Sequence, residues 1–297
     1  MLKSFKEVML KLKKIPSKKV VIPGADFSSS IKAACMAKKM NIADFLLIGN
    51  EKKIVELIKK ENKTLINKFD IIHSKKNEES VQKAVRTIKH KEAGLLLKGN
   101  VSTAQLMKAV FDKENGLKVE TILGDVFVFE NNNKLTLMSD GGIVLNPDIE
   151  KKIALLKNAV NVAKKLEAKL PKVAILAAVE KVNSKMQATL DAASITEMNK
   201  RGEIKECLVD GPFALDIAVS SEAARIKKID SPVAGNADIL IMPNIEAGNI
   251  FGKSINYYAH LNVGHVIIGA EVPILITSRA DDAQTKLNSI ALGMICA

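Results

Sequence analysis

Short apolar runs alternate with longer amphipathic segments along the whole chain. Runs at 18–24 (KKVVIPG), 43–49 (ADFLLIG), 69–74 and 93–99 have strand character, as do 125–130, 134–140, 172–178, 237–243, 265–270 and 272–278. Between most of them, as in 30–40 (SIKAACMAKKM), 79–90 and 102–113, apolar residues recur at helical spacing. Strands bounded by Gly or Pro and followed by helices imply βαβ units, hence a mainly parallel sheet covered on both faces. One pair breaks the pattern: DVFVFE and KLTLM, joined by Asn131, Asn132 and Asn133, predict an antiparallel hairpin. The stretch 140–148 (DGGIVLNPD) combines paired Gly with Asn-Pro ahead of a helix predicted from about Asp148 to Ala168, and reads as a domain crossover. The expectation is an α/β protein with two α/β/α domains, 1–140 plus 276–297 and 141–275.

Composition narrows the class. The 297 residues are 47% apolar and 26% charged, which suits a globular chain of two domains. No apolar run reaches the ~20 residues that span a bilayer, and MLKSFKEVMLKLKK has no signal-peptide core. Cys35, Cys207 and Cys296 form no C-x-x-C pair, which argues for a reducing cytoplasm and against a disulfide framework or a zinc site. The net charge of +12 is almost all lysine; the arginines are Arg86, Arg201, Arg225 and Arg279. With no Trp and two Tyr, the chain lacks the Arg-aromatic pattern of a nucleic-acid binder. A solvated Lys-rich surface is the simplest account, and such a field also suits small anionic substrates.

Ligands of open α/β sheets bind beyond the carboxyl ends of the strands, so the strand-to-helix junctions hold the candidate chemistry. In 95–110 (LLLKGNVSTAQLMKAV) the run ends at Lys98-Gly99, and Ser102 or Thr103 caps the next helix. A helix start with two hydroxyls and the Lys98 charge also makes an anion pocket. In 247–254, A-G-N-I-F-G-K-S differs at one residue from the G-x-x-x-x-G-K-[ST] phosphate loop, with Ala247 in place of Gly. The strand that follows ends without the acid that would hold Mg²⁺. In 273–293 an apolar strand delivers Ser278 and Arg279 to a loop, and Asp281 and Asp282 start a helix. Acids at a helix start are favourable on their own, but hydroxyl, guanidinium and carboxylates at one strand end can clamp a phosphate and move a proton. The four histidines have no metal-ligand spacing, and no cysteine sits beside a general base.

These blocks carry a resemblance. KGNVSTAQLMKAV (98–110), SDGGIVLNPDIEKK (139–152), VEKVNSKMQATLDAA (179–193), DGPFALDIAVSSEAA (210–224), SPVAGNADILIMPNIEAGNIFGKS (231–254) and VPILITSRADDAQTKLNSIALG (272–293) are similar to the phosphate acyltransferases, nearest the butyryl and branched-chain group. The resemblance implies transfer of an acyl group between acyl-CoA and inorganic phosphate. It also implies a two-domain fold of the isocitrate/isopropylmalate dehydrogenase kind with the site in the interdomain cleft, and subunits that form a homodimer or larger homo-oligomer. Coenzyme A and phosphate enter as substrates, with no covalently bound cofactor, no metal, no nucleic acid and no membrane. Ser278 and Arg279 match the family's active-site pair. Lys108 stands where acetyl enzymes have an arginine, and Asn249 and Lys253 match the G-N-x-x-x-K block that contacts phosphate or coenzyme A. The aspartate that serves acetyl enzymes as base aligns with Thr285, and S-R-A-D-D replaces their S-R-G-C-S. Both departures point away from acetyl specificity and leave Asp281 and Asp282 as open choices for the base. The expected site is thus Ser278, Arg279, Asp281 and Asp282 for the chemistry, with Lys98, Ser102, Thr103, Lys108, Asn249 and Lys253 for phosphate and coenzyme A. The other readings are a phosphate acetyltransferase, a nucleotide-dependent phosphotransferase acting through 247–254, a nicotinamide dehydrogenase (which lacks its G-x-G-x-x-G here) and a non-catalytic binding protein.

Overall fold

A computed structural model of the chain describes residues 1–278 and 280–297, with Arg279 and the side chain of Glu120 outside the described residues. Two compact units emerge from the packing: residues 5–121 with 263–297, and residues 1–4 with 122–262. The first begins with α1 (Phe5–Leu12) and continues β1 (Lys19–Pro23), α2 (Ser28–Lys39), β2 (Asp44–Gly49), α3 (Glu51–Asn62), β3 (Asp70–His73), α4 (Asn77–Lys89), β4 (Leu95–Leu97) and α5 (Thr103–Val110). The second holds most of β5 (Val119–Asn131), then β6 (Lys134–Ser139), α6 (Ile149–Lys165), β7 (Lys172–Leu176), α7 (Gln187–Lys200), β8 (Leu208–Phe213), α8 (Leu215–Val219), α9 (Ser221–Ile226), β9 (Ile239–Ile241) and α10 (Ile245–Tyr257). The chain closes the first unit with β10 (Val263–Ala270), β11 (Ile274–Leu275) and α11 (Ala283–Cys296).

In the first unit the strands lie in the order β3-β2-β1-β4-β11-β10. All neighbours are parallel except β10 and β11. Leu95, Leu96 and Leu97 of β4 are fully buried, as a strand covered on both faces requires. Helix α11 packs on β10, α1 and α2, and apart from Gln284 its residues from 283 to 295 are buried. Its polar residues therefore need internal partners: Asn288 donates to the Val263 carbonyl at 3.0 Å, and Ser289 to that of Thr285 at 2.9 Å.

In the second unit the order is β5-β6-β9-β7-β8. The predicted hairpin is present, β5 and β6 pairing antiparallel from Phe127↔Met138 to Asn131↔Lys134. Asn132 and Asn133 turn it with φ of 48° and 58°, a conformation asparagine tolerates better than most residues. The predicted long helix is α6, with Asp148 as its N-cap accepting from the Lys151 N–H at 2.9 Å. The sequence reading groups 122–140 with the N-terminal domain and 263–275 with the other; packing groups 122–262 together and 263–297 with residues 5–121. Strand β6 pairs with β9 in the register Leu137↔Ile239, and β11 pairs with β4 in the register Leu96↔Ile274. One strand escapes the pattern altogether. Asp210-Gly211-Pro212, turn-like by composition, lies within β8, where an edge position tolerates a proline that cannot donate to the ladder. Among the described residues no helix is long and apolar enough to cross a membrane.

Candidate active site

In the first unit β1, β4 and β11 are adjacent and parallel, so their carboxyl ends open side by side. Each feeds a loop into a helix: 24–27 into α2, 98–102 into α5 and 276–282 into α11. The loops are stitched together by backbone bonds. Gly99 N–H donates to the Pro23 carbonyl at 3.1 Å, Asn100 N–H to Gly24 at 2.6 Å, and Lys98 N–H to Leu275 at 2.9 Å. Gly24 turns with φ +65°, and a Cβ on Gly99 would fall 2.3 Å from the Gly24 oxygen. Glycine at these two positions is what lets the loops touch. Three helix N-termini beside each other make an electropositive shelf suited to an anion.

Each loop places its predicted residues differently. Lys98 is buried, and its ammonium donates to the Val101 carbonyl at 3.3 Å. Ser102 is the N-cap of α5: its Oγ accepts from the Gln105 N–H at 3.1 Å, while its own N–H donates to Gln105 Oε1 at 3.3 Å. This reciprocal pair is a capping box, so the capping role is realised. Thr103 is the exposed first residue of that helix, and Lys108 stands exposed in its last turn. Lys108 also lines a cavity of about 200 Å³ between α4 and α5, together with Arg86, Gln82 and Gln105.

The third loop is the most constrained. Ser278 is exposed, its N–H donates to Asp281 Oδ2 at 2.7 Å, and its Oγ accepts from the Ala280 N–H at 3.3 Å. Asp281 is buried with its carboxylate turned to that backbone. Asp282 is the N-cap of α11, accepting from the Thr285 N–H at 2.7 Å. The predicted Arg279 lies outside the described residues. Sequence reasoning missed Lys286, which is 2% exposed and donates to the carbonyls of Ser278 and Asp281, each at 2.9 Å. Burial holds its ammonium below the ordinary lysine range and the Lys98 charge adds to that, against an opposing pull from Asp281 and Asp282. Its signal was present: Lys286 is the one charged residue in the α11 sequence. Three buried hydroxyls, Ser29 and Ser30 at the start of α2 and Thr277 just past β11, have no hydrogen-bond partner among the described residues.

Asn249 and Lys253 belong to the second unit, and there the phosphate-loop expectation fails. The segment 247–254 is the interior of α10, not a loop. Asn244 caps the helix through the Ala247 N–H at 2.9 Å, and the Ser254 hydroxyl donates to the Ile250 carbonyl at 2.8 Å. The N–H groups of Gly252, Lys253 and Ser254 are thus helical and cannot cradle a triphosphate. Gly248 serves contact instead: Asp140 and Gly141 run against it, and Asn249 Nδ2 donates to the Gly141 carbonyl at 3.0 Å. Lys253 is exposed. Nearby, Asp140 accepts from the N–H groups of Gly142 (2.6 Å), Ile143 (2.8 Å) and Asp125 (2.8 Å). Burial first, and then the Asp125 charge, push its carboxyl up to about 6.

Among the described residues no group of three His, Cys, Asp or Glu side chains could hold a metal ion. Burial pushes the thiols of Cys35 and Cys207 up to about 11, which leaves them protonated and poor nucleophiles.

Residues 68–294 match the family described as Phosphate acetyl/butaryl transferase. A Bacillus subtilis protein named "Probable phosphate butyryltransferase" is 46% identical over 283 residues, covering 95% of this chain and 93% of its own. The phosphate butyryltransferase of Clostridium acetobutylicum is 40% identical over 299 residues, covering 100% and 99%. Among solved structures, the branched-chain phosphotransacylase from Enterococcus faecalis V583 superposes with a TM-score of 0.83 at 31% identity, covering 94% of this chain and 98% of that one.

Proposed function

Because the chain belongs to the phosphate acetyl/butaryl transferase family, we propose that it moves a short or branched acyl group, butyryl, isobutyryl or isovaleryl, reversibly between coenzyme A and inorganic phosphate. A phosphate oxygen attacks the thioester carbonyl, the C–O bond forms as the C–S bond breaks, and the products are acyl phosphate and the coenzyme A thiol. The thiolate is a good enough leaving group that the step needs alignment and charge stabilisation rather than a covalent enzyme intermediate. Butyryl and branched-chain activity rather than acetyl activity follows from the names of the relatives above and from S-R-A-D-D at 278–282.

The observation that carries the reading is the meeting of three helix starts at the ends of β1, β4 and β11, with Ser278 exposed above the buried cations Lys98 and Lys286. On this shelf Arg279 and the 98–103 loop, with Lys98, Ser102 and Thr103, hold phosphate, and the Ser278 hydroxyl donates to the charge developing on the carbonyl oxygen or the sulfur. The family resemblance adds Lys108, and separately Asn249 and Lys253, as contacts to phosphate or coenzyme A, and Asp281 or Asp282 relays the thiol proton. The bonds already made divide these two: the Asp281 carboxylate is engaged by Ser278 N–H and is buried, while Asp282 is exposed with one oxygen on the cap. That favours Asp282. Two domains of the isocitrate/isopropylmalate dehydrogenase kind, a homo-oligomeric state and a cytoplasmic setting belong to the same reading; two α/β units support the first.

The test is release of free thiol from acetyl-, butyryl- and isobutyryl-CoA, with and without phosphate, metal and ATP absent. Release that requires phosphate and is fastest with a four-carbon chain is the expected result. Release without phosphate makes the protein a thioesterase, and none from any thioester rejects the enzyme reading.

A further inference from the structure

The α11 lysine has no assigned part in acyl transfer, yet it is buried and bonded to two carbonyls beside the shelf. Its side chain lies on a helix whose other residues from 283 to 295, Gln284 apart, are buried, and it ends on two carbonyls of the loop that presents Ser278. The Ser278 carbonyl accepts twice, from Lys286 Nζ at 2.9 Å and from the Asp281 N–H at 3.2 Å, while the Ser278 N–H is taken by the Asp281 carboxylate. Both backbone polar groups of Ser278 are thus fixed, and among the described residues the bonds that fix them come from Asp281 and Lys286. An ammonium is costly to bury, so a lysine here needs a compensating role that a leucine could not fill.

We propose that Lys286 is a positioning residue for the acyl-transfer site: its buried ammonium, tied to the Ser278 and Asp281 carbonyls, sets the backbone from which the Ser278 hydroxyl is presented to the reacting carbonyl and sulfur. The inference rests on the acyltransferase reading and deepens it. Lys286 does not touch substrate. It acts through Ser278, so its loss falls on the chemical step, where misplacement of an aligned group by about an ångström costs on the order of 100-fold. Coenzyme A contacts lie elsewhere and stay intact.

The experiment compares the parent chain with Lys286→Met, Lys286→Gln and Lys286→Arg in the phosphate-dependent thiol-release assay, with thermal melting alongside. The methionine keeps the apolar stem and removes the ammonium. Expected is a fall in kcat of roughly 10- to 100-fold with KM for acyl-CoA changed less than about threefold, partly restored in Lys286→Arg, which can still donate to both carbonyls. A folded Lys286→Met that melts lower but turns over like the parent reduces the lysine to a structural part and overturns the proposal. Should the methionine variant not fold, Lys286→Gln decides: a neutral, shorter donor should lower kcat with KM held, and unchanged kcat overturns the proposal. If the parent itself releases no thiol, the acyltransferase reading has failed and not this inference.

Discussion

A Cβ built on Gly248 would lie 2.2 Å from the carbonyl oxygen of Asp140. Helix α10 and the 140–142 turn are therefore in backbone contact, and Gly248 is there for packing. Gly248→Ala must push the turn away from the helix and strain the three N–H bonds that Asp140 accepts. The expected loss is about 2–4 kcal/mol, read as a lowered urea midpoint with an unchanged slope. A neutral substitution would mean that the turn moves freely.

The same turn carries a pH dependence. A carboxyl lifted from 3.8 to about 6 on folding binds its proton more tightly in the folded chain. Its contribution to stability is therefore greatest below about pH 4 and is lost as pH rises towards 6 and beyond. Asp125→Asn removes the neighbouring charge, so it should raise the melting temperature above pH 7 by the equivalent of about 1 kcal/mol and do little at pH 4. Equal shifts at both pH values would show that the Asp125 charge is not what raises the Asp140 carboxyl.

Lys152 on α6 and Asp191 on α7 form a buried ion pair at 2.7 Å, and Gln187 donates to the other Asp191 oxygen at 2.7 Å. Both partners are almost wholly out of solvent. Asp191→Ala leaves a buried ammonium uncompensated and should cost about 3–5 kcal/mol, whereas Lys152→Met with Asp191→Leu should recover most of that loss. A double-mutant cycle from denaturant melts measures the coupling; additivity would mean the pair contributes nothing to stability as a pair.

The strand-helix alternation was readable because most strands are apolar runs with Gly or Pro at their ends, and Ser102, Asp148 and Asp282 mark helix starts by capping chemistry. What escaped had a physical reason in each case. Strand β8 carries Asp210-Gly211-Pro212, residues that punctuate loops except at a sheet edge. The 247–254 motif depends on where its glycines fall, and spacing alone does not distinguish a loop from a helix packed tightly on a turn. Lys286 escaped because a lone lysine in an apolar helix is informative only once its two carbonyl partners, five and eight residues earlier in the chain, are seen folded back onto it.

The two loop carboxylates can be separated by substitution. Asparagine caps a helix about as well as aspartate, so Asp282→Asn should leave stability nearly unchanged. If Asp282 relays the thiol proton, kcat falls by roughly 100-fold, within the usual worth of a general base, and the pH-rate profile loses a limb. If it only caps, turnover is kept. Asp281→Asn disturbs the bond from the Ser278 N–H and should lower stability and kcat together. Arg279→Ala should act mainly through phosphate, raising its KM and lowering kcat more than either aspartate variant does, because a bidentate guanidinium has no substitute among the lysines of the shelf. Initial rates against phosphate and butyryl-CoA for the three variants separate these roles. Near-parental turnover of Arg279→Ala at saturating phosphate would remove the arginine from the assignment.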